Sequence, residues 1–297
     1  MKEENNEKTL QIVCKNCETE FEGNFCPNCG QSTKEFERPV RFLIIDLLGN
    51  MFAFDTRFWK TFIAVLFKPG ALTLDYVNGH RVKYMPPFRF FIFVSFFFFL
   101  ALKLFSAQML NNDAQNTDFI SITDIEQDST AKAVLDSIET EFKAPDPEEI
   151  KKAEENLKLL QEHPELFIQK FLSYFSWSMF LLMPIYGVLL WLFYKNSQPF
   201  YATNFILAIN QHSFAFVVLL LIVIFHIIFP NIESNFVNYL ALIVPVYIIW
   251  GQKTLYQKKL KIIFLRLFAI GIIYSILLFF TTLALVFLVL RENGIGV

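Results

Sequence analysis

An all-α, polytopic membrane fold with a small N-terminal module follows from three features of this sequence. Of its 297 residues, 54% are hydrophobic and 17% aromatic, more apolar surface than a soluble domain can hide, and the mean hydropathy is +0.41. Five apolar stretches have the length of a bilayer core: residues 88–106, Phe171–Tyr194, Asn204–Phe229, Ile232–Trp250 and Ile262–Leu290. Charge is sorted by segment. Arg38–Arg89 carries eight Lys/Arg and Gly251–Arg266 carries five, whereas Ser106–Lys170 holds fifteen Asp/Glu against six Lys.

The first span organises the rest. Tyr76–Phe105 reads YVNGHRVKYMPPFRFFIFVSFFFFLALKLF, a basic, turn-rich lead-in followed by a charge-free run from Phe90 to Leu102. Orientation follows Lys/Arg more than net charge. The two basic regions are therefore expected in the cytoplasm, and the acidic segment outside. Five spans then place the N-terminus inside and the C-terminus outside. No apolar run follows MKEENNEKTL, so the first span is expected to act as an uncleaved signal anchor. Much of the Phe is expected to be lipid-facing bulk.

All four cysteines fall in the first thirty residues, as Cys14-Lys-Asn-Cys17 and Cys26-Pro-Asn-Cys29, with eight residues between the pairs. A CxxC turn points two thiolates at one ion, and two such knuckles complete a tetrahedral site. On the cytoplasmic side a disulfide framework is disfavoured. A redox pair needs only one CxxC, on a larger fold than this segment can build. Cys14, Cys17, Cys26 and Cys29 are thus expected to hold one Zn²⁺ in a minimal ribbon spanning, with its linker, residues 1–37. Glu18, Glu20 and Glu22 lie between the knuckles, opposed by Lys15. That balance argues against nucleic acid and for docking a cytosolic protein, or for packing within the chain.

Within residues 38–87, the run Val40–Phe67 is strongly apolar but interrupted by Arg41, Asp46, Asp55, Arg57 and Lys60, too many charges for a span. One or two amphipathic helices lying in the cytoplasmic interface are expected, with a re-entrant hairpin as the rival arrangement. In the outer segment, residues 107–170, Ala131–Phe142 and Ile150–Leu160 repeat at helical spacing, and Asp146-Pro147-Glu148-Glu149 marks a helix start. Pro184 and Pro245 should kink the second and fourth spans.

Chemistry-bearing residues are sparse in the membrane region 171–297. Apart from Arg266, the second to fifth spans hold no Asp, Glu, Lys or Arg in their interiors, and no catalytic motif is present. The expectation is a non-enzymatic protein. Polar residues gather in the third span, where His212 and His226 are fourteen residues apart and so within roughly 40° on a helix. With Asn210 they define a candidate intramembrane seam, as a transporter or channel would need. Interhelical hydrogen bonding is the simpler role.

The order FCPNCGQ, then KPG, then YVNGHRVKYMPP running into a Phe-rich span resembles a family of uncharacterised bacterial membrane proteins, common in Bacteroidetes. That family combines an N-terminal Cys₄ ribbon, a PG and a Y-x-x-G-x-R-x-x-Y-x-P stretch. The resemblance maps the stretch to Tyr76, Gly79, Arg81, Tyr84 and Pro86, implies location in the inner membrane of a bacterium, and implies no activity. Physically, the stretch suits a turn at the membrane surface. Gly79 permits the bend, Arg81 is placed to meet phosphate, and Tyr76 and Tyr84 suit the headgroup layer.

Overall fold

A computed structural model describes residues 12–33, 57–113, 164–230 and 235–292. The helices expected between Ala131 and Leu160, and the first part of segment 38–87, lie outside them.

Two short antiparallel strands, β1 (Ile12–Val13) and β2 (Glu20–Phe21), pair Ile12 with Phe21 and Val13 with Glu20. They open the ribbon. A helical hairpin follows, α1 (Phe58–Phe67) and α2 (Ala71–Val77), joined at Pro69-Gly70. The membrane region comprises α3 (Pro87–Asp113), α4 (Pro164–Tyr194), α5 (Tyr201–Ile228), α6 (Asn235–Tyr239), a 3₁₀ turn (Leu240–Leu242), α7 (Ile243–Tyr256) and α8 (Leu260–Glu292).

Among the described residues four helices, α3, α4, α5 and α8, are long and apolar enough to cross a membrane. The protein has an all-α, multi-pass membrane fold with a cysteine cluster near its N-terminus. The fourth expected span, Ile232–Trp250, differs: α6, the 3₁₀ turn and α7 divide it. Pro245 is the physical reason. It stands in the first turn of α7, where its ring would clash with the Ala241 carbonyl of a continuous helix. The pieces still run antiparallel beside α5. Tyr256 meets Asn204, Gln211 approaches the Ile248 carbonyl, and Phe214 stacks on Tyr247 with centroids 3.6 Å apart.

The core joins α3, α4 and α5 through aromatic rings. Phe216 of α5 stacks on Phe98 at 4.9 Å and Phe91 at 5.7 Å, with Phe99 edge-on at 5.7 Å. One Phe-rich helix therefore presents two faces. Phe90, Phe91, Phe98 and Phe99 are buried, whereas Phe93, Phe96 and Phe97 point outward, so only part of the Phe is lipid-facing bulk. Lys103, the charge in the middle turns of α3, donates to Ser173 Oγ at 3.0 Å.

The α1–α2 hairpin does not simply lie on a surface. Thr61, Ala64 and Val65 of α1 are buried, with Phe58 against Phe90 and Phe93, while Trp59, Ile63 and Phe67 face outward at every fourth residue. Leu72 and Thr73 of α2 are also buried, and Asn210 Nδ2 donates to Thr73 Oγ1 at 2.8 Å. The hairpin is thus set into the bundle at the end where α3, α5 and α8 begin and α4 and α7 finish, here termed the ribbon side.

Candidate metal centre and its seat on the membrane domain

The two knuckles are built alike. In the first, Cys14 N–H donates to the Thr19 carbonyl (2.9 Å) and Glu18 N–H to that of Cys14 (2.8 Å). In the second, Cys26 N–H donates to the Gln31 carbonyl (2.9 Å) and Gly30 N–H to that of Cys26 (2.8 Å). Each ends on a left-handed residue, Glu18 at φ 59° and Gly30 at φ 72°. Only the second uses the residue type suited to that conformation.

The four Sγ atoms lie within 4.8 Å of one another, with Cys14–Cys29 and Cys17–Cys26 each at 3.5 Å. A tetrahedral divalent ion with ~2.3 Å bonds to sulfur sets its ligands about 3.8 Å apart, so the cluster fits one ion. Thr19 supports it. Asn28 Nδ2 donates to Thr19 Oγ1 (3.1 Å), leaving that hydroxyl to donate to Cys17 Sγ (3.3 Å). The Thr19 hydroxyl lowers the Cys17 thiol to about 6, while burial pushes Cys29 up to about 12. A bound cation would favour the thiolate at all four positions. Thr19 and Asn28 were not singled out in the sequence, although each lies within two residues of a ligand.

The ribbon is seated on the turn before α3. Gln31 Nε2 donates to the Gly79 carbonyl (2.7 Å), and Gln31 Oε1 accepts from Arg81 N–H (3.3 Å). Gly79, at φ 100°, lies against Lys15 so closely that a Cβ there would come within 2.9 Å of the Lys15 Cβ. Gly79 is therefore required twice, for its bend and for contact with the ribbon. Behind the turn, Asp75 Oδ2 accepts from Lys83 Nζ at 2.7 Å and from Tyr84 OH at 2.9 Å. Burial raises the Asp75 pKa, but these two donors outweigh it and hold the carboxyl below its ordinary value. The bond to Asp75 raises Lys83, and burial raises Tyr84. Arg57 Nη1 donates to the Val82 carbonyl at 2.6 Å, and Thr61 Oγ1 accepts from Met85 N–H at 2.8 Å.

The residues singled out in the sequence are thus redistributed. Tyr84 is buried and bonded to Asp75 rather than placed in a headgroup layer. The Tyr76 carbonyl accepts from Gly79 N–H (3.3 Å), and the Arg81 Nε is buried beside the turn. The candidate seam is not brought together. Asn210 bonds to Thr73 of α2, whereas His212, two residues on and so on the opposite face, meets Tyr274 of α8 at 3.0 Å. His212 Nδ1 lies 2.9 Å from the Ala208 carbonyl. Since a carbonyl only accepts, the neutral ring carries its proton on Nδ1, and Nε2 accepts from Tyr274. His226 Nδ1 caps the Ile222 carbonyl (2.8 Å), with its ring near Phe105.

A model of a protein family described as a protein of unknown function (DUF3667) matches residues 55–99. The match spans α1, α2, the turn and the first half of α3, and the ribbon lies outside it. Neither a curated protein nor a solved structure matches the chain.

Proposed function

We propose that this is a non-enzymatic inner-membrane protein whose cytosolic ribbon binds one zinc ion and packs on its own membrane domain as a clamp. The observation that carries this reading is the Gln31 bridge to Gly79 and Arg81, reinforced by Lys15 against Gly79. Four thiolates with this spacing suit zinc in a reducing compartment. The ribbon side also gathers Lys195, Lys253, Lys258, Lys259 and Lys261, the charge bias of a cytoplasmic face. Deleting residues 1–33 should lower the thermal unfolding temperature of the purified protein. An unchanged temperature would make the ribbon an independent module.

A second reading, docking of a cytosolic protein on the seated ribbon, is favoured by Val13 and Phe25, which are 55% and 65% exposed. A transporter lacks comparable support, because Asn210, His212 and His226 each turn to a different helix.

A further inference from the structure

Beneath the hairpin lies a layer of buried amides and phenols. Tyr186 OH donates to Gln211 Oε1 and Tyr194 OH to Gln252 Oε1, each at 2.9 Å. Gln252 is fully buried, with its amide also reaching the Tyr186 hydroxyl, and Ser213 is buried as well. The hairpin holds the cover in place. Gly70 presses on Gly251 so tightly that a Cβ at residue 70 would stand 2.6 Å from the Gly251 carbonyl, and Thr73 bonds Asn210.

An unbroken set of contacts joins this cover to the cysteine site. The Gln31 carbonyl is fixed by Cys26 N–H, so the second knuckle positions the Gln31 side chain. That side chain grips both ends of the Gly79–Arg81 turn. The turn is tied to α2 by His80 N–H on the Asp75 carbonyl (2.9 Å), and by Lys83 and Tyr84 on the Asp75 carboxylate.

We propose that the ribbon is a metal-operated latch: with metal bound, Gln31 holds the α1–α2 hairpin closed over the Gln211–Gln252 layer, and metal loss releases the hairpin and opens the layer to water. This rests on the packed-ribbon reading above and adds reversibility and a route. Without metal the second knuckle keeps only its few backbone hydrogen bonds, and two strands of two residues each cannot hold a ribbon by themselves.

Hydrogen exchange of the full chain in lipid nanodiscs tests it. Three states are compared: zinc-loaded, chelator-treated, and zinc-loaded Gln31→Ala, which keeps all four cysteines. Exchange over residues 71–84 should rise at least tenfold on chelation and on substitution alike, with zinc content unchanged in Gln31→Ala, and should reverse when zinc is restored to the chelated protein. If chelation speeds exchange only within residues 12–33, or Gln31→Ala with full zinc matches the native protein, the latch is overturned. In that event a lowered unfolding temperature on ribbon deletion would leave the packed ribbon standing, whereas an unchanged one would remove both.

Discussion

At the residue scale, two glycines in contact have opposite tolerances. A Cβ on Gly70 meets backbone at 2.6 Å and requires φ 77°, whereas one on Gly251 meets its neighbours at 3.5–3.8 Å, ordinary contact. Gly70→Ala should therefore destabilise the protein by roughly 2–4 kcal/mol in equilibrium unfolding, while Gly251→Ala should be neutral or stabilise by up to about 1 kcal/mol. Glu18 is the other misfit, a non-glycine at φ 59° where the second knuckle has Gly30. Glu18→Gly should tighten metal binding by roughly 0.5–1 kcal/mol in a competition titration. The cysteines were legible because metal geometry dictates their spacing. Gln31 was not, because its partners lie 48 and 50 residues away and an amide has no spacing rule.

pH separates the metal from the clasp behind the turn. The depressed Asp75 pKa gives stability present above the ordinary carboxylate value and lost as pH falls through the lower folded value. The raised Lys83 pKa gives stability present below the ordinary lysine value and lost only as pH rises through the higher folded value. Lys83 is 37% exposed, so solvent screens much of this. Between about pH 5 and 9 the pair is unchanged, whereas protons compete for thiolates throughout that range. Hydrogen exchange of residues 71–84 should then rise from pH 7 to pH 5 in step with metal release, after correction for the intrinsic rate. A rise at full metal occupancy would implicate the clasp instead.

At the scale of elements, long apolar runs were legible and their packing was not. α5 and α8 lie within three residues of their expected bounds, whereas α3 ends seven residues later and α4 starts seven residues earlier. A helix can run on past the apolar stretch that bilayer thickness sets. The change at Leu240–Leu242 was visible only as Pro245, which signalled a kink and not a 3₁₀ turn between two α-helices. Nor does composition say which rings pack inside: Phe96 and Phe97 face outward, and the next two residues, Phe98 and Phe99, are buried. Phe216→Ala, at the centre of the ring cluster, should cost roughly 3–5 kcal/mol, and Phe96→Ala within about 0.5 kcal/mol, in detergent unfolding. α8 stands apart. Only 6% of its most apolar stretch is buried, against 28–39% for the other three long helices, and Ile270, Tyr274 and Leu277 in its first two-thirds pack against the core.

At the scale of the whole molecule, the ends of the helices sort consistently. Tyr194, at the end of α4, stacks on Tyr256, at the end of α7, at 3.7 Å, and Arg266 of α8 lies over the Tyr194 ring at 4.9 Å. These ends share the ribbon side, so a single assignment orients every helix. A cysteine at Lys258 should resist an impermeant thiol reagent in intact cells, and one at Asp128 should react. The reverse would invert the orientation and remove the compartment argument for zinc.

The central claim, that the metal-bearing ribbon rests on its own membrane domain, is tested most directly by photocrosslinking in cells. A photoreactive phenylalanine analogue placed at Lys15 should crosslink within the chain, with peptide mass spectrometry locating the bond in residues 76–84. Crosslinks from that position solely to another protein, with none inside the chain, would contradict the account.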